Sequence, residues 1–411
     1  MTRTQRMVTT FALAAVPAVL MAQGPGPDWP QWRGPNRDGV VTSFTAPRTW
    51  PDELTLRWKV EVGEGYATPV VVGDRVYAFT RQGDDEVMMA LEAASGKMLW
   101  RTGYPAPFTM APAAEPHGHG PKSTPTFAAG RLYTLGMGGV VTAFDAATGR
   151  QLWQKPAPPV GPLYGTAMSA LVDDGRVILH VGGHGDGALT AFDAETGDVT
   201  WSWNGDGPSY ASPIVADLDG VRQVINLTQD HVVGVAAETG ALLWQREFKT
   251  GFTQNIIDPI LDGQTLIISG FQQPVSAFRV VRRNGQWLTE DAWVNEDASL
   301  YMTNGVRIGD WLFGLSQRNS GQYFLLDVDS GKTLWTGMPR QAGNAAIVRG
   351  GDLVFVLQDD AELIVGRVSV SGFDPVKRYT VADSATWAQP AISGNRIFVK
   401  DVSTLALWTL D

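Results

Sequence analysis

The sequence predicts an all-β fold: an eight-bladed β-propeller with four-stranded antiparallel blades and a ring closed by an N-terminal strand. Three observations carry this. One eleven-residue phrase recurs, as ALEAASGKMLW (Ala90 to Trp100), AFDAATGRQLW (Ala143 to Trp153), AFDAETGDVTW (Ala191 to Trp201), GVAAETGALLW (Gly234 to Trp244) and LLDVDSGKTLW (Leu325 to Trp335). The tryptophans Trp58, Trp100, Trp153, Trp201, Trp244, Trp293 and Trp335 follow one another at 42 to 53 residues, the size of a propeller blade. The two ends of the repeat region are complementary fragments of one further unit.

Within a copy, apolar residues lead to a small acidic or polar cluster, then Thr-Gly or Ser-Gly, then the tryptophan. This reads as strand, tight turn and return strand, with Asp193 bonding the turn backbone and Gly197 supplying the positive φ. A second hairpin precedes each phrase, as in TPVVVGDRVYAFT (Thr68 to Thr80) and STPTFAAGRLYTLG (Ser123 to Gly136), which brings the unit to four strands. The fifth copy, Ile256 to Trp293, has lost the tidy turn, and the seventh runs from Ala345 to about Tyr379. The final QPAISGNRIFVKDVSTLALWTL holds three strands, and LRWKVEV (Leu56 to Val62) is a fourth without partners. Joining them completes blade 8 and leaves no open sheet edge. On this reading the tryptophans pack blade against blade; their place on the outer strand is remote from the channel where a ligand would stack.

The 411 residues are 44% hydrophobic, enough for a large core, and carry a formal charge of −10. That balance argues against nucleic acid and anionic membrane surfaces as main partners. Residues 1–22 read as a signal peptide: Arg3 and Arg6 precede an apolar run from Met7 to about Met21 that is too short to span a bilayer, with a small residue at Ala22. Residues 23–55 form an N-terminal segment and residues 56–411 the propeller. The chain has no cysteine, which excludes disulfides, thiolate metal sites and a lipid anchor on cysteine. The expectation is a periplasmic or secreted bacterial protein with no membrane span.

The pattern Ala-x-Asp-x-x-Thr-Gly-x-x-x-Trp, intact at Ala143 to Trp153 and Ala191 to Trp201, resembles the tryptophan-docking repeat of pyrroloquinoline-quinone (PQQ) type eight-bladed propellers, and the resemblance covers Leu56 to Asp411. That family includes quinoprotein alcohol dehydrogenases, assembly factors of the BamB type and exported PQQ-like repeat proteins. DWPQWRGPNRDG (Asp28 to Gly39) and PHGHGPKSTP (Pro116 to Pro125) look most like the last group. The resemblance implies the fold; it leaves activity open, because the motif is a packing device. The dehydrogenases carry a vicinal disulfide, a calcium ion and a catalytic aspartate, and no position here matches that set.

Propeller connectivity puts the loops entering each inner strand, and those between the second and third strands, on one funnel face. The ligand- or partner-binding candidates there are His117, His119, Lys122, His184, Asp186, Gln229, His231, Asn255, Tyr301, Arg318, Asn344 and Trp387, an amide-rich mouth suited to hydrogen bonding. His117-x-His119 has the beginnings of a zinc or copper site that Asp186 would complete, but in a Gly- and Pro-rich loop solvated histidines are the plainer reading. The pairs Asp84 and Asp85, Asp173 and Asp174, and Asp359 and Asp360 are assigned no acid or base role, and no residue is assigned as catalytic or metal-binding. Trp29, Trp32 and Arg33 are expected to pack the N-terminal segment on the ring, with Arg33 on a carboxylate; interfaces favour the same residue types.

The function these readings favour is an exported, non-catalytic propeller acting as an interaction or assembly module for a protein or saccharide, without cofactor. The alternative is a PQQ- and calcium-dependent oxidoreductase; a metal-dependent hydrolase or lyase stands third.

Overall fold

A computed structural model describes residues 28–410. The signal-peptide expectation for residues 1–22 lies outside the described residues. The described chain forms eight four-stranded blades. Blade 1 is Val70–Val72, Arg75–Gln82, Asp85–Glu92 and Met98–Pro105. Blades 2 to 7 repeat this over residues 126–155, 171–203, 214–247, 260–295, 306–336 and 345–380. Blade 8 pairs Ala391–Ser393, Arg396–Lys400 and Thr404–Thr409 with the N-terminal strand Thr55–Glu61, in the register Trp58↔Leu407. The first strands of successive blades adjoin one another and line the axis.

The repeated phrase makes the joint between blades. In blade 3, Asp193 Oδ1 accepts from the N–H groups of Glu195 (2.9 Å) and Thr196 (2.8 Å), and Gly197 closes the turn at φ 75°. A methyl group on Gly197 would lie 2.7 Å from Trp153 Cδ2, so a bare glycine lets the preceding blade's indole lie flat on the turn. The indole N–H of Trp153 donates to Ala194 O at 3.2 Å. Trp58 on Ala93 O (3.0 Å), Trp100 on Ala146 O (3.1 Å), Trp201 on Ala237 O (3.0 Å) and Trp293 on Val328 O (2.8 Å) do the same. The ring thus closes through Trp58, whose outer strand docks on blade 1. Two tryptophans depart from this: Trp335 donates to Ser369 O of the next blade at 2.8 Å with no turn glycine beneath it, and Trp244, where the third and fourth strands of blade 5 run on to Arg283 and Gln286, donates to Gln223 of its own blade at 2.7 Å.

A second joint runs round the channel wall. The residue just before or at the start of each inner strand offers a short polar side chain to the backbone of the blade before it. Thr68 N donates to Thr124 Oγ1 (3.1 Å), Thr124 N to Ser169 Oγ (2.9 Å), Ser169 N to Ser212 Oγ (3.0 Å), Ser212 N to Asp258 Oδ1 (2.7 Å) and Asp258 N to Asn304 Oδ1 (2.9 Å). This belt satisfies N–H groups that proline-bearing strand entries otherwise leave buried and unpaired. It stops at blade 7, where the equivalent residue is Ala345.

The N-terminal segment enters the channel from the face opposite the funnel. Trp29, fully buried, bridges to Val71, Pro30 O accepts from Phe127 N, and Val40–Val41 pairs parallel with Arg349 and Gly350 of blade 7. Arg37 donates to Ser169 O and Ala170 O. The expectation for Arg33 is corrected: it binds the carbonyls of Arg37 (3.2 Å), Asp38 (3.0 Å) and Gly305 (2.9 Å). The channel's buried carboxylate, Asp258, is occupied by Trp32 Nε1 at 2.6 Å. The arginine sits too deep in the channel wall to reach exposed carboxylates, and strand-end carbonyls are the acceptors available there.

Two outcomes follow. Trp153→Ala is expected to lower stability by about 3 to 5 kcal/mol, the range for emptying a large aromatic site, and Gly197→Ala to destabilise as well, through both its positive φ and the indole contact; denaturant melts of both variants check this. Removal of residues 1–62 takes away the channel plug and the outer strand of blade 8, and is expected to abolish the cooperative melt, whereas an unchanged transition rules out the closure described.

Candidate functional site

Side chains alternate along each strand entry, so the residue two places before each belt position faces the funnel. Tyr66, Lys122, Ala167, Tyr210, Ile256, Met302 and Trp387 all occupy that place, and all line one cavity of about 280 Å³. Its eighth equivalent, Gly343, lines an adjoining hollow. Trp32 of the plug and Asp258 form part of the cavity lining, and the 3-10 turn Pro112–His117 overhangs it with Ala113, Ala114 and His117. Arg81 tethers that overhang by donating to Ala106 O (2.8 Å) and His119 O (2.9 Å). Its charge is balanced by Glu86 at 3.6 Å, a fully buried carboxylate that also accepts from Met137 N and Tyr104. Burial pushes the Glu86 carboxyl up against these three partners.

Of the sequence candidates, His117, Lys122, Tyr301, Asn344 and Trp387 line the cavity. His117 stands edge-on to Trp387 with ring centroids 4.6 Å apart. Tyr301 donates to Gln254 Oε1 at 2.9 Å, and Asn344 accepts from Thr303 Oγ1 at 2.9 Å. Burial lowers the Lys122 ammonium from its ordinary value, and burial with the Lys122 charge lowers the His117 imidazole.

The others lie elsewhere. His119 is exposed and is not among the residues lining the cavity. His184, Asp186, Gln229 and His231 sit on second-to-third-strand tips, which lie radially outside the strand entries and do not reach the cavity. There His184 accepts from Leu163 N (3.2 Å), Asp186 accepts from Gly183 N (2.9 Å), and His231 Nδ1 pairs with Asp206 at 2.8 Å. Asn255 is fully buried and ties Thr228 O, Gln229 O and Phe248 O, a loop brace. Arg318 is exposed beside Glu296 and Asp297 on a separate surface hollow. His117 and Asp186 therefore share no site, and among the described residues no group of three His, Cys, Asp or Glu is placed to hold a metal ion. Asp173, one of the paired aspartates, is mostly covered and bound by Arg222.

Sequence reasoning missed Trp32, Tyr66, Tyr164, Tyr210 and Asp258. The repeated Thr-Pro, Ser-Pro, Asp-Pro and Gln-Pro at Thr68, Thr124, Ser212, Asp258 and Gln389 was the available signal, since it phases five of the eight strand entries and the blade repeat carries the phase to the other three. Asp258 is the sole carboxylate lining the cavity. Its two oxygens are taken by Ser212 N and Trp32 Nε1, and burial raises its pKa despite the nearby Arg33 and Arg37.

A family model described as outer membrane protein assembly factor BamB matches residues 37–153 and 84–337. The chain belongs to the BamB-type family of PQQ-like repeat propellers. BamB of Yersinia pestis is 24% identical over 390 residues, which cover 89% of this chain and 91% of that protein. The dehydrogenase subunit of a quinone alcohol dehydrogenase from Komagataeibacter europaeus is 33% identical over 164 residues, 36% of this chain and 21% of the enzyme, so the chain spans about a fifth of that relative. Among solved structures, BamB from Moraxella catarrhalis superposes with a TM-score of 0.63 at 16% identity, covering 87% of this chain and 99% of that one. Quinohemoprotein alcohol dehydrogenase from Comamonas testosteroni gives 0.66 at 15% identity, covering 93% and 80%. At these identities the structural likeness is one of fold. No helix of the described residues of this PQQ-like propeller is long and apolar enough to cross a membrane.

One buried histidine of the propeller yields a pH prediction. His180 is 3% exposed, with Nε2 3.0 Å from Asp206 O, and burial pulls its imidazole down to about 4. In the unfolded chain it titrates near ~6.5. Between those values the unfolded state holds a proton that the folded state lacks, so stability falls as pH drops from 6.5 through 4, by about 3 kcal/mol in total. Melting His180→Gln and the parent across this window is expected to show a shallower acid loss in the variant; parallel curves assign the loss to other groups.

Proposed function

We propose that this chain is an exported, non-catalytic propeller of the periplasm or secreted fraction that serves as an interaction and assembly module. The observation carrying the reading is the extent of the match to BamB of Yersinia pestis, nearly end to end on both chains, against a fifth of the quinone alcohol dehydrogenase. The name of the former is that of an outer membrane protein assembly factor, and assembly of envelope proteins is the role carried over here. Loops of the funnel face support it by presenting isolated apolar side chains, with Phe252 71% and Met338 75% exposed on connections between different blades. Apolar anchors on a polar rim are what protein interfaces use.

The donor set speaks against the oxidoreductase alternative. Calcium takes six to eight oxygen ligands, several of them carboxylates; the cavity offers Asp258, both of whose oxygens are engaged within the wall. A general base must take a proton from the substrate, and each Asp258 oxygen already accepts a hydrogen bond from the wall, one from Trp32 Nε1 and one from Ser212 N. The residues present do not fit a PQQ and calcium pair. The metal-dependent hydrolase reading meets the same shortage.

Purified protein incubated with PQQ and calcium is expected to show no dye-linked alcohol or sugar oxidation; turnover requiring both components overturns the non-catalytic assignment. A photo-crosslinking residue at Phe252 or Met338 in the native host is expected to trap envelope proteins, and adducts no more frequent than from the opposite-face turn at Asp219 count against the assembly role.

A further inference from the structure

We propose that residues 156–163 form an acid-released strap across the rim of the funnel face, held down by the neutral imidazole of His184 and freed when that ring takes up a proton. The inference concerns the movement of one loop and stands apart from the assembly role.

The strap, PAPPVGPL, leads from the outer strand of blade 2 towards the inner strand of blade 3. Four of its eight residues are proline and have no N–H to donate. Among the described residues it shares one hydrogen bond with the chain outside 156–165, from Leu163 N to His184 Nε2 at 3.2 Å. Packing adds little: Val160 and Leu163 are 57% and 51% exposed. The strap rests on Gly139 and Gly183, where Pro158 and Val160 occupy the room a side chain would need. Firmer anchors lie at its two ends, where Lys155 pairs with Val141 and Tyr164 N donates to the Tyr210 hydroxyl at 3.2 Å.

The partners of His184 fix its protonation. Pro208 O, 3.1 Å from Nδ1, can only accept, so Nδ1 carries the hydrogen; Leu163 N can only donate, so Nε2 presents its lone pair. The ring is half-buried and within reach of solvent. A proton arriving from solvent lands on Nε2 and sets N–H against N–H, which removes the strap's one bond to the tip beneath it. The charges around the ring do not reverse this. Asp230 favours the imidazolium, but burial outweighs it and holds the ring below its ordinary value. Asp186, on the same loop, accepts from Gly183 N, and Asp206 pairs with His231 at 2.8 Å. Buried His180 of the same blade stays neutral down to about 4, Tyr164 and Tyr210 contribute rings without charge in the acid range, and Lys155 turns away to Asp198. Closure that disfavours the charged ring is fully supported above the ordinary imidazole value of ~6.5 and loses that support as pH falls below it. Release therefore runs with acidification.

The chain has no cysteine, so Ala157→Cys gives a single site for a nitroxide label on the exposed strap, and its electron paramagnetic resonance spectrum reports the loop's mobility in the full chain. The mobile fraction is expected to rise at least threefold between about pH 7.5 and about pH 5, on either side of the imidazole range. Adding His184→Gln, whose side-chain oxygen reaches the Nε2 position and does not titrate, is expected to keep the label immobile at both values. Adding His184→Asn, which reaches only the Nδ1 position, is expected to leave it mobile at both. In the unlabelled parent, nitrogen-15 spectra of the histidine rings at the higher pH are expected to show His184 as the Nδ1–H tautomer, a readout that needs no variant. A label whose mobility does not change with pH, a His184→Gln strap that releases in acid as the parent's does, a His184→Asn strap that stays immobile at the higher pH, or an Nε2–H tautomer overturns the proposal. The assembly role fails through a different experiment, the loss of funnel-face crosslinks.

Discussion

The flat contact between an outer-strand indole and the turn glycine of the following blade sets the spacing on which the ring depends. With Gly197 under Trp153 and the indole N–H on Ala194 O, two blades meet at a fixed distance and angle. Repetition of that joint at Trp58, Trp100, Trp201 and Trp293 turns a local fit into a closed circle. Once the circle is fixed, the first strands are close enough for short side chains such as Ser169 and Ser212 to reach the neighbouring backbone. The funnel residues two places earlier then converge on one cavity.

Where one joint is missing, another element stands in. Blade 7 has Ala345 in place of a belt hydroxyl or carboxylate, and this is the blade on which Val40–Val41 adds a fifth, parallel strand. On either side of it, Arg33 holds Gly305 O of blade 6 and Ser43 accepts from Gly394 N of blade 8. The plug therefore bridges the gap in the belt and also lends Trp32 to the cavity lining. Its buried arginines and Asp258 are retained as a mutually compensating set, expensive to bury singly and tolerable together.

Blade number, strand boundaries and ring closure were legible because they rest on residues with narrow physical roles: a glycine at positive φ, an indole on an outer strand, an aspartate closing a turn. LRWKVEV is the outer strand of blade 8 within one residue of its reading, at Thr55–Glu61. The cavity was legible only in part. Lys122, Tyr301, Asn344 and Trp387 stood out as polar or aromatic residues in loops, whereas Tyr66 and Tyr210 look like ordinary strand-entry residues until the prolines after Thr68 and Ser212 are used to phase them. His184 and His231 were drawn in because the second-to-third-strand loops share the funnel face with the strand entries; radial distance along a blade has no signature in a single sequence. The plug was foreseen as packed, but nothing in DWPQWRGPNRDG tells a segment lying on a ring from one threaded into it.

The pairing of Thr55–Glu61 with Thr404–Thr409 joins strands that are among the first and last of the described chain. Contacts so distant in sequence form slowly, because the loop between them must be closed before they contribute anything. During synthesis, blades 1 to 7 are complete while the N-terminal strand still waits for its partner, and for that interval the chain carries unpaired β-edges of the kind that recruit other chains. A circular permutant with its ends moved between two blades, and residues 28 and 410 joined through a linker, makes all four strands of every blade from contiguous sequence. The place of the seam thus governs the order of assembly and the time spent open, while the finished ring is the same.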